Sequence, residues 1–350
     1  MKILPALPRL YLLVSLLMAL HLPGAEPPAA AASPAEISLW PDGVPNAKTP
    51  ARGETSNSGN YRNVSNPRLL VYAPPPGTAN GTAFVYSPGG GYSQIAGAGP
   101  SSITQWMNSL GVTVFVLLYR LEAPDYPAAL QDAVQAMRVV RSRSKEFGLD
   151  PKRIGAGGGS AGAHLAGSLG AFYNDPVVAK VGGQLEALSA KPDFLILFFP
   201  VVTMDVPAAE RGSRHALLGP NPPSELVDKM SLEKQVTKDM PPIFLIHTMQ
   251  DTTAPVENSL LLFSALRKAG ASVEMHIFEK GAHSSGLYAN FGTTATWPTL
   301  AEEWMRAHGW LPDSPTSLMY RGATAVASPA QGQPMLTVPR HYQAPAPAAP

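Results

Sequence analysis

The sequence predicts an α/β fold, a mostly parallel sheet with helices on both faces. Three observations carry that prediction. Apolar, β-branched runs alternate along the chain with helical patterns, as strand–helix–strand units do. One run, Phe194-Leu-Ile-Leu-Phe-Phe199, is apolar without a break, which suits a central parallel strand buried on both sides. Charged residues make up only 15% of 350, against a usual ~25%.

In chain order, Leu69–Ala73 and Thr82–Ser87 are the first two strands, and the longer Val112–Tyr119 is the third. Tyr126–Phe147 changes period. Its residues Ala129, Ala133, Ala136, Met137, Val140 and Ser144 recur every three or four positions and so share one helix face. Arg153–Gly157 is a short strand, and Ser160–Phe172 is a small, apolar helix. Phe194–Val202, Ile243–His247 and Val273–Phe278 complete the strands, with amphipathic helices at Val256–Lys268 and Leu300–His308.

Proline, at 37 residues, is about twice the usual 5% and is unevenly spread. Residues 1–50 hold 9 prolines and residues 312–350 hold 8. The chain therefore divides into four parts. Residues 1–25 are expected to be an export signal: Lys2 and Arg9 lead into the 13-residue apolar run Leu10–Leu22, short of the ~20 residues that span a bilayer. Residues 26–60 are a linker leading into the fold, 61–313 the folded domain, and 314–350 a disordered Pro/Ala-rich tail with Arg321 and Arg340 as its charges. The expected location is secreted or periplasmic, with no stable membrane span after signal cleavage.

Composition excludes several functions. A net charge of +1 leaves no electrostatic footprint for nucleic acid or an anionic membrane. The absence of cysteine removes disulfide frameworks, thiolate metal sites and cysteine nucleophiles. Neither a cofactor nor a metal is expected.

The sharpest motif is Gly158-Gly159-Ser160-Ala161-Gly162, a G-x-S-x-G elbow between a strand and a helix. A turn that tight needs residues without bulk two before and two after the serine, and it lifts the hydroxyl above the sheet. A phosphate-cradling loop would need a further glycine in register or a following lysine, and Gly155-Ala-Gly157-Gly-Gly-Ser160 has neither. Serine attack also needs donors for an oxyanion. Pro88-Gly89-Gly90-Gly91-Tyr92, directly after a strand, offers backbone N–H groups free of side chains, to be joined by that of Ala161.

Of eight histidines, His283 sits on a loop just past the last strand, where this architecture places its base. His164, four residues after Ser160, is expected to pack beneath the elbow; His215 falls in a polar loop, and His247 and His276 fall within strands. The acid should follow an earlier strand. Asp251, after Ile243–His247, is the first choice, and Asp205, after Phe194–Val202, competes with it. Thr203–Met240 is expected to build a wall of the pocket.

From about residue 36 to about residue 311 the chain resembles α/β-hydrolase esterases of the acetyl-xylan/feruloyl esterase type, BD-FAE-like proteins. The resemblance rests on Leu39-Trp-Pro-Asp-Gly-Val-Pro45, Pro88-Gly-Gly-Gly-Tyr92, Tyr119-Arg-Leu121 and Tyr126-Pro127 with Asp132. It continues through Gly148-Leu-Asp-Pro-Lys-Arg-Ile154, Ser160-Ala-Gly-Ala-His-Leu-Ala166, Leu217-Leu-Gly219, Pro255-Val-Glu-Asn-Ser259 and Phe278-Glu-Lys-Gly-Ala-His283. It implies the α/β-hydrolase fold, a triad of Ser160, Asp251 and His283, and an oxyanion hole from the amides of Gly90, Gly91 and Ala161. It also implies hydrolysis of acetyl or feruloyl esters on plant polysaccharide, so the expected partner is an acylated carbohydrate or small ester. Similar proteins often have glycine at Ala163, Asp at Gln250, and a glycine after the histidine where this chain has Ser284 and Ser285. Two other functions on the same scaffold are a peptidase or amidase, which usually adds a gating domain, and a carbohydrate-binding protein with a broken triad.

Overall fold

Strand β1 (Ala35–Ser38) lies at the sheet edge in this computed structural model, which describes residues 34–48, 53–121, 123–284 and 292–313. The expected export signal (1–25) and tail (314–350) lie outside the described residues, as does Ser285. Strands β2 (Thr55–Asn57) and β3 (Asn60–Arg62) form a separate hairpin. The main sheet continues with β4 (Arg68–Tyr72), β5 (Ala83–Ser87), β6 (Thr113–Leu118), β7 (Ile154–Gly159), β8 (Leu195–Phe198), β9 (Ile243–Thr248) and β10 (Val273–Phe278). Their spatial order is β1-β4-β6-β5-β7-β8-β9-β10. β4 is antiparallel to both its neighbours, and every pairing from β6 onward to β10 is parallel.

The helices are α1 (Ser102–Ser109), α2 (Ala128–Ser142), α3 (Ala161–Phe172), α4 (Pro176–Ala179), α5 (Arg211–Leu218), α6 (Ser224–Met230), α7 (Glu257–Ala269) and α8 (Trp297–Ala307). Strand alternation sorts them onto two faces. On β9, Phe244 meets Trp304 of α8 with ring centroids 5.4 Å apart. His247, an odd number of residues on and so on the other face, bonds Ser259 of α7. Trp106 of α1 packs edge-on against Trp297 of α8, centroids 4.7 Å apart, which puts α1 with α8. α2 packs on α3, and both α3 and α7 touch the turn at Leu232–Lys234. Among the described residues no helix is long and apolar enough to cross a membrane.

Glycine in a strand usually weakens it, yet β7 reads Ile-Gly-Ala-Gly-Gly-Gly. Side chains at Gly155 and Gly157 would run into the rings of Phe194 and Phe84, which stack at 6.1 Å in the core. The strand is thus thinned to admit two aromatic residues. It also runs two residues further than the sequence suggests and delivers the chain straight into Ser160. β8 is shorter than its apolar run because the backbone turns at Phe199, where φ is +36°.

Strands β1 to β3 and helices α1, α4, α5 and α6 escape the sequence reading. β1 is four residues of mixed polarity, too short to display a period, and it lies inside the segment read as linker. It pairs with β4 and is followed by the buried Leu39 and Trp40. Trp40 Nε1 donates to Asp132 on α2 (2.9 Å), and Asp132 accepts from Arg120 Nε at 2.9 Å. Arg120 also donates to the Pro45 carbonyl (2.8 Å). This fully buried ion pair gives the Leu39–Pro45, Arg120 and Asp132 stretches a common structural purpose: they lock the segment that follows β1 onto α2. Removing either partner would strand the other charge in the interior.

Candidate active site

The C-terminal ends of β5, β7, β8 and β9 converge on one cavity of about 920 Å³, and Ser160 lies within it. Open α/β sheets place ligand crevices at these strand ends. Ser160 has φ +56° and ψ −124°, a strained conformation for a residue with a side chain. The strain is sustained by close packing around it. A Cβ at Gly162 would collide with the carbonyl oxygens of Ser87 and Pro88, and one at Gly158 with Gly162 and Ser87. Glycine at these two places lets the elbow lie directly on the end of β5.

Ser160, His283 and Asp251 are brought together in that order. Ser160 Oγ lies 2.9 Å from His283 Nε2, and His283 Nδ1 lies 2.6 Å from Asp251 Oδ2. The carboxylate can only accept, so Nδ1 carries the proton and Nε2 is left to accept from the serine hydroxyl. Asp251 Oδ1 accepts from the backbone N–H groups of Thr253 (2.9 Å) and Ala254 (3.0 Å). Burial works against the Asp251 charge, but hydrogen bonds from His247, His283 and the Ala254 amide outweigh it and hold this carboxyl well below the usual carboxylate range. Asp205, the competing acid, is instead ion-paired with Lys234.

The expected donor residues also meet here, since Gly89, Gly90 and Gly91 line the cavity beside Ser160. The Gly89 carbonyl accepts from Ala96 N–H (2.9 Å), and that of Gly90 from Ser93 and Gln94 N–H (3.2 Å each). In a trans peptide the N–H points opposite to the preceding C=O, so the N–H groups of Gly90 and Gly91 face outward from their own loop. Ala161 opens α3 and has no intrahelical partner for its N–H.

Four supporting groups were not assigned these roles from sequence. His247 Nε2 donates to the Ala254 carbonyl (2.9 Å) and lies 3.3 Å from Asp251 Oδ2, so the acid faces two imidazoles. The only hint of it in the sequence is a histidine four residues before Asp251. Gln250 Oε1 accepts from Gly281 N–H (3.1 Å), and Thr248 Oγ1 donates to the Gly281 carbonyl (2.7 Å), which fastens the His283 loop to β9. Tyr92 Oη donates to His164 Nδ1 (2.8 Å), and His164 Nε2 donates to the Met230 carbonyl (2.8 Å). This bolts the glycine loop to α3 beneath the elbow, as expected for His164. Burial pushes His164 down to about 4, against the hydrogen bond to Met230, and it is the neutral ring that accepts from Tyr92. His215 corrects the sequence reading: it lies on α5, not in a loop, and lines the cavity with Glu210, Gly212 and Ala216. Glu210 caps that helix by accepting from the N–H groups of Gly212 and Ser213, a short-range signal easily overlooked. The wall expected from Thr203–Met240 is therefore α5.

A doubly wound sheet with a strained serine at a strand-to-helix elbow defines an α/β-hydrolase fold. Residues 69–266 match the BD-FAE family, and the chain belongs to it. It is 33% identical over 200 residues to endo-1,4-beta-xylanase B of Butyrivibrio fibrisolvens, covering 56% of this chain and 31% of that protein. It is 30% identical over 223 residues to the acetylxylan esterase of Xylanibacter ruminicola, covering 62% of this chain and 43% of that one. The matched region thus spans less than half of either relative. Among solved structures, it resembles the acetyl ester-xyloside bifunctional hydrolase of Caldicellulosiruptor lactoaceticus at 34% identity and a TM-score of 0.69, covering 81% of this chain and all of the other. The butyrate-bound esterase Est2 of Thermogutta terrifontis matches at 25% identity with a TM-score of 0.58, covering 71% of this chain and 92% of the other.

Proposed function

We propose that this protein is an exported serine esterase that removes small acyl groups, acetyl above all, from plant polysaccharide. The observation that carries the reading is the continuous hydrogen-bonded line from Ser160 Oγ through His283 to the buried Asp251, inside a cavity. In this mechanism Ser160 Oγ attacks the ester carbonyl as His283 Nε2 takes its proton. Asp251 holds the imidazole tautomer and stabilises the imidazolium. The tetrahedral oxyanion lies on the N–H groups of Gly90, Gly91 and Ala161, each donor being worth about 100- to 1000-fold in rate. His283 then protonates the leaving alcohol, and water repeats the sequence on the acyl-enzyme. The named activities of the Xylanibacter and Caldicellulosiruptor relatives support an acetylated sugar as substrate. Export is proposed from Lys2, Arg9 and the apolar run Leu10–Leu22.

The test is Ser160→Ala. Loss of the nucleophile is expected to cut p-nitrophenyl acetate hydrolysis by about a million-fold and to abolish labelling by a fluorophosphonate probe. Turnover retained by that variant would sink the reading. Acetylated xylan, methyl ferulate and a dipeptide anilide assayed side by side then rank the ester and amide alternatives, with acetylated xylan expected to be fastest.

A further inference from the structure

Phe199 has the positive φ of +36° and a large ring, a costly combination. The turn around it is tied to the nucleophile at both ends: Ser160 N–H donates to the Phe198 carbonyl (3.0 Å), and Val201 N–H donates to the Ser160 carbonyl (3.2 Å). Asn258, fully buried, continues the clamp by accepting from the N–H groups of Val202 (2.9 Å) and Thr203 (3.2 Å). This clamped, strained turn aims the ring at the reaction centre. The ring meets His283 edge-on, centroids 4.8 Å apart, and lies so close to Gly159 that a Cβ there would come within 3.0 Å of it.

The cavity is graded around that ring. Tyr86 (4% exposed), Gly159 and Phe199 (5%) are buried lining residues next to Ser160, whereas Ser58, Asn60, Gly97, Gly212, His215 and Thr253 form an exposed, mostly polar rim. A polymeric alcohol has to leave a site at both ends and cannot enter a closed floor. The acyl group terminates, so it can.

We infer that Phe199, with Tyr86 beside it, is the floor of the acyl-binding end and sets the length of acyl group this protein accepts. The inference rests on the esterase reading above and goes beyond it by naming the residue that discriminates. It assigns the backbone strain at Phe199 to substrate selection. A ring braced on Gly159 and His283 cannot swing aside for a longer chain without disturbing the base.

The experiment compares kcat/KM for p-nitrophenyl acetate, butyrate and octanoate in the full-length wild-type chain, in Phe199→Ala and in Phe199→Leu. Each preparation is its own reference, because the ratio between two esters is independent of the fraction folded. Phe199→Ala is expected to raise the butyrate-to-acetate ratio at least about tenfold, the low end of the discrimination one methylene gives in an apolar pocket. Phe199→Leu, milder in volume, is expected to fall between it and wild type. Ratios unchanged in both variants, with an active wild type, overturn the inference and leave the esterase reading standing. A wild type that hydrolyses no ester and resists fluorophosphonate overturns both.

Discussion

The two halves of the site are held in place by different physics. Ser160 and its glycine loop are fixed by shape: the elbow lies against β5 so closely that one methyl on Gly162 has nowhere to go. Asp251 and His283 are fixed by polarity: the carboxylate accepts from two backbone amides and faces two imidazoles. The difference teaches that conservative substitutions act oppositely in the two halves. A volume change should be ruinous on the serine side, and a change of donor into acceptor on the acid side.

The sharpest way to break this contrast is Asp251→Asn, which keeps the shape and removes the charge. Its carbonyl oxygen can still accept from Thr253 and Ala254, but its amide nitrogen would face His283 Nδ1 and favour the wrong tautomer. The expected loss in kcat is about 10⁴-fold, with the unfolding midpoint at neutral pH also lowered, because the folded state loses the ionised carboxylate that its hydrogen bonds favour. A fall of less than tenfold would remove the electrostatic account of this half.

Gly162→Ala tests the other half with a single methyl. The added carbon meets the Ser87 and Pro88 carbonyl oxygens, so the elbow has to move off β5 or the fold has to strain. Overpacking of this kind costs about 3 kcal/mol, read by urea unfolding, and ester hydrolysis should fall with it. A stable, fully active variant would show that shape does not hold the serine.

The smallest effect sharpens the comparison, because one titrating group lies within the shape-held half. His164 stays neutral in the folded protein down to about 4, while in the unfolded chain it gains a proton below about 6.5. Between these values the unfolded state binds more protons, so stability falls as pH falls. The His164 contribution is fully present above pH 6.5 and is lost by pH 4, with a slope of at most about 1.4 kcal/mol per pH unit. Measured across that window, His164→Gln should show a correspondingly shallower loss. Parallel slopes for wild type and variant would contradict it.

Much of this was legible in the sequence because it is local. An elbow has to place small residues two before and two after its serine, and a strand has to be apolar to be buried, so Ser160 and the parallel sheet can be read from short windows. Helix α5 was not legible, since its eight residues include Arg211, Arg214 and His215 and begin with a cap supplied by Glu210. Strand β1 was missed for a related reason: four residues cannot declare a period.

The sequence by itself determined which chemical groups stand at the ends of which strands: a serine after β7, acids after β8 and β9, a histidine after β10. Only the tertiary structure decided which of them meet. Asp205 and Asp251 both follow strands, but Lys234 holds the first, and the turn after β9 aims the second at His283. His247 and Phe199 reach the site because a neighbouring strand end or a strained turn points them there, not because of any pattern around them. Backbone preference is written in neighbours along the chain, whereas a contact between Ser160 and His283 across 123 residues exists only once the sheet has set its order and register.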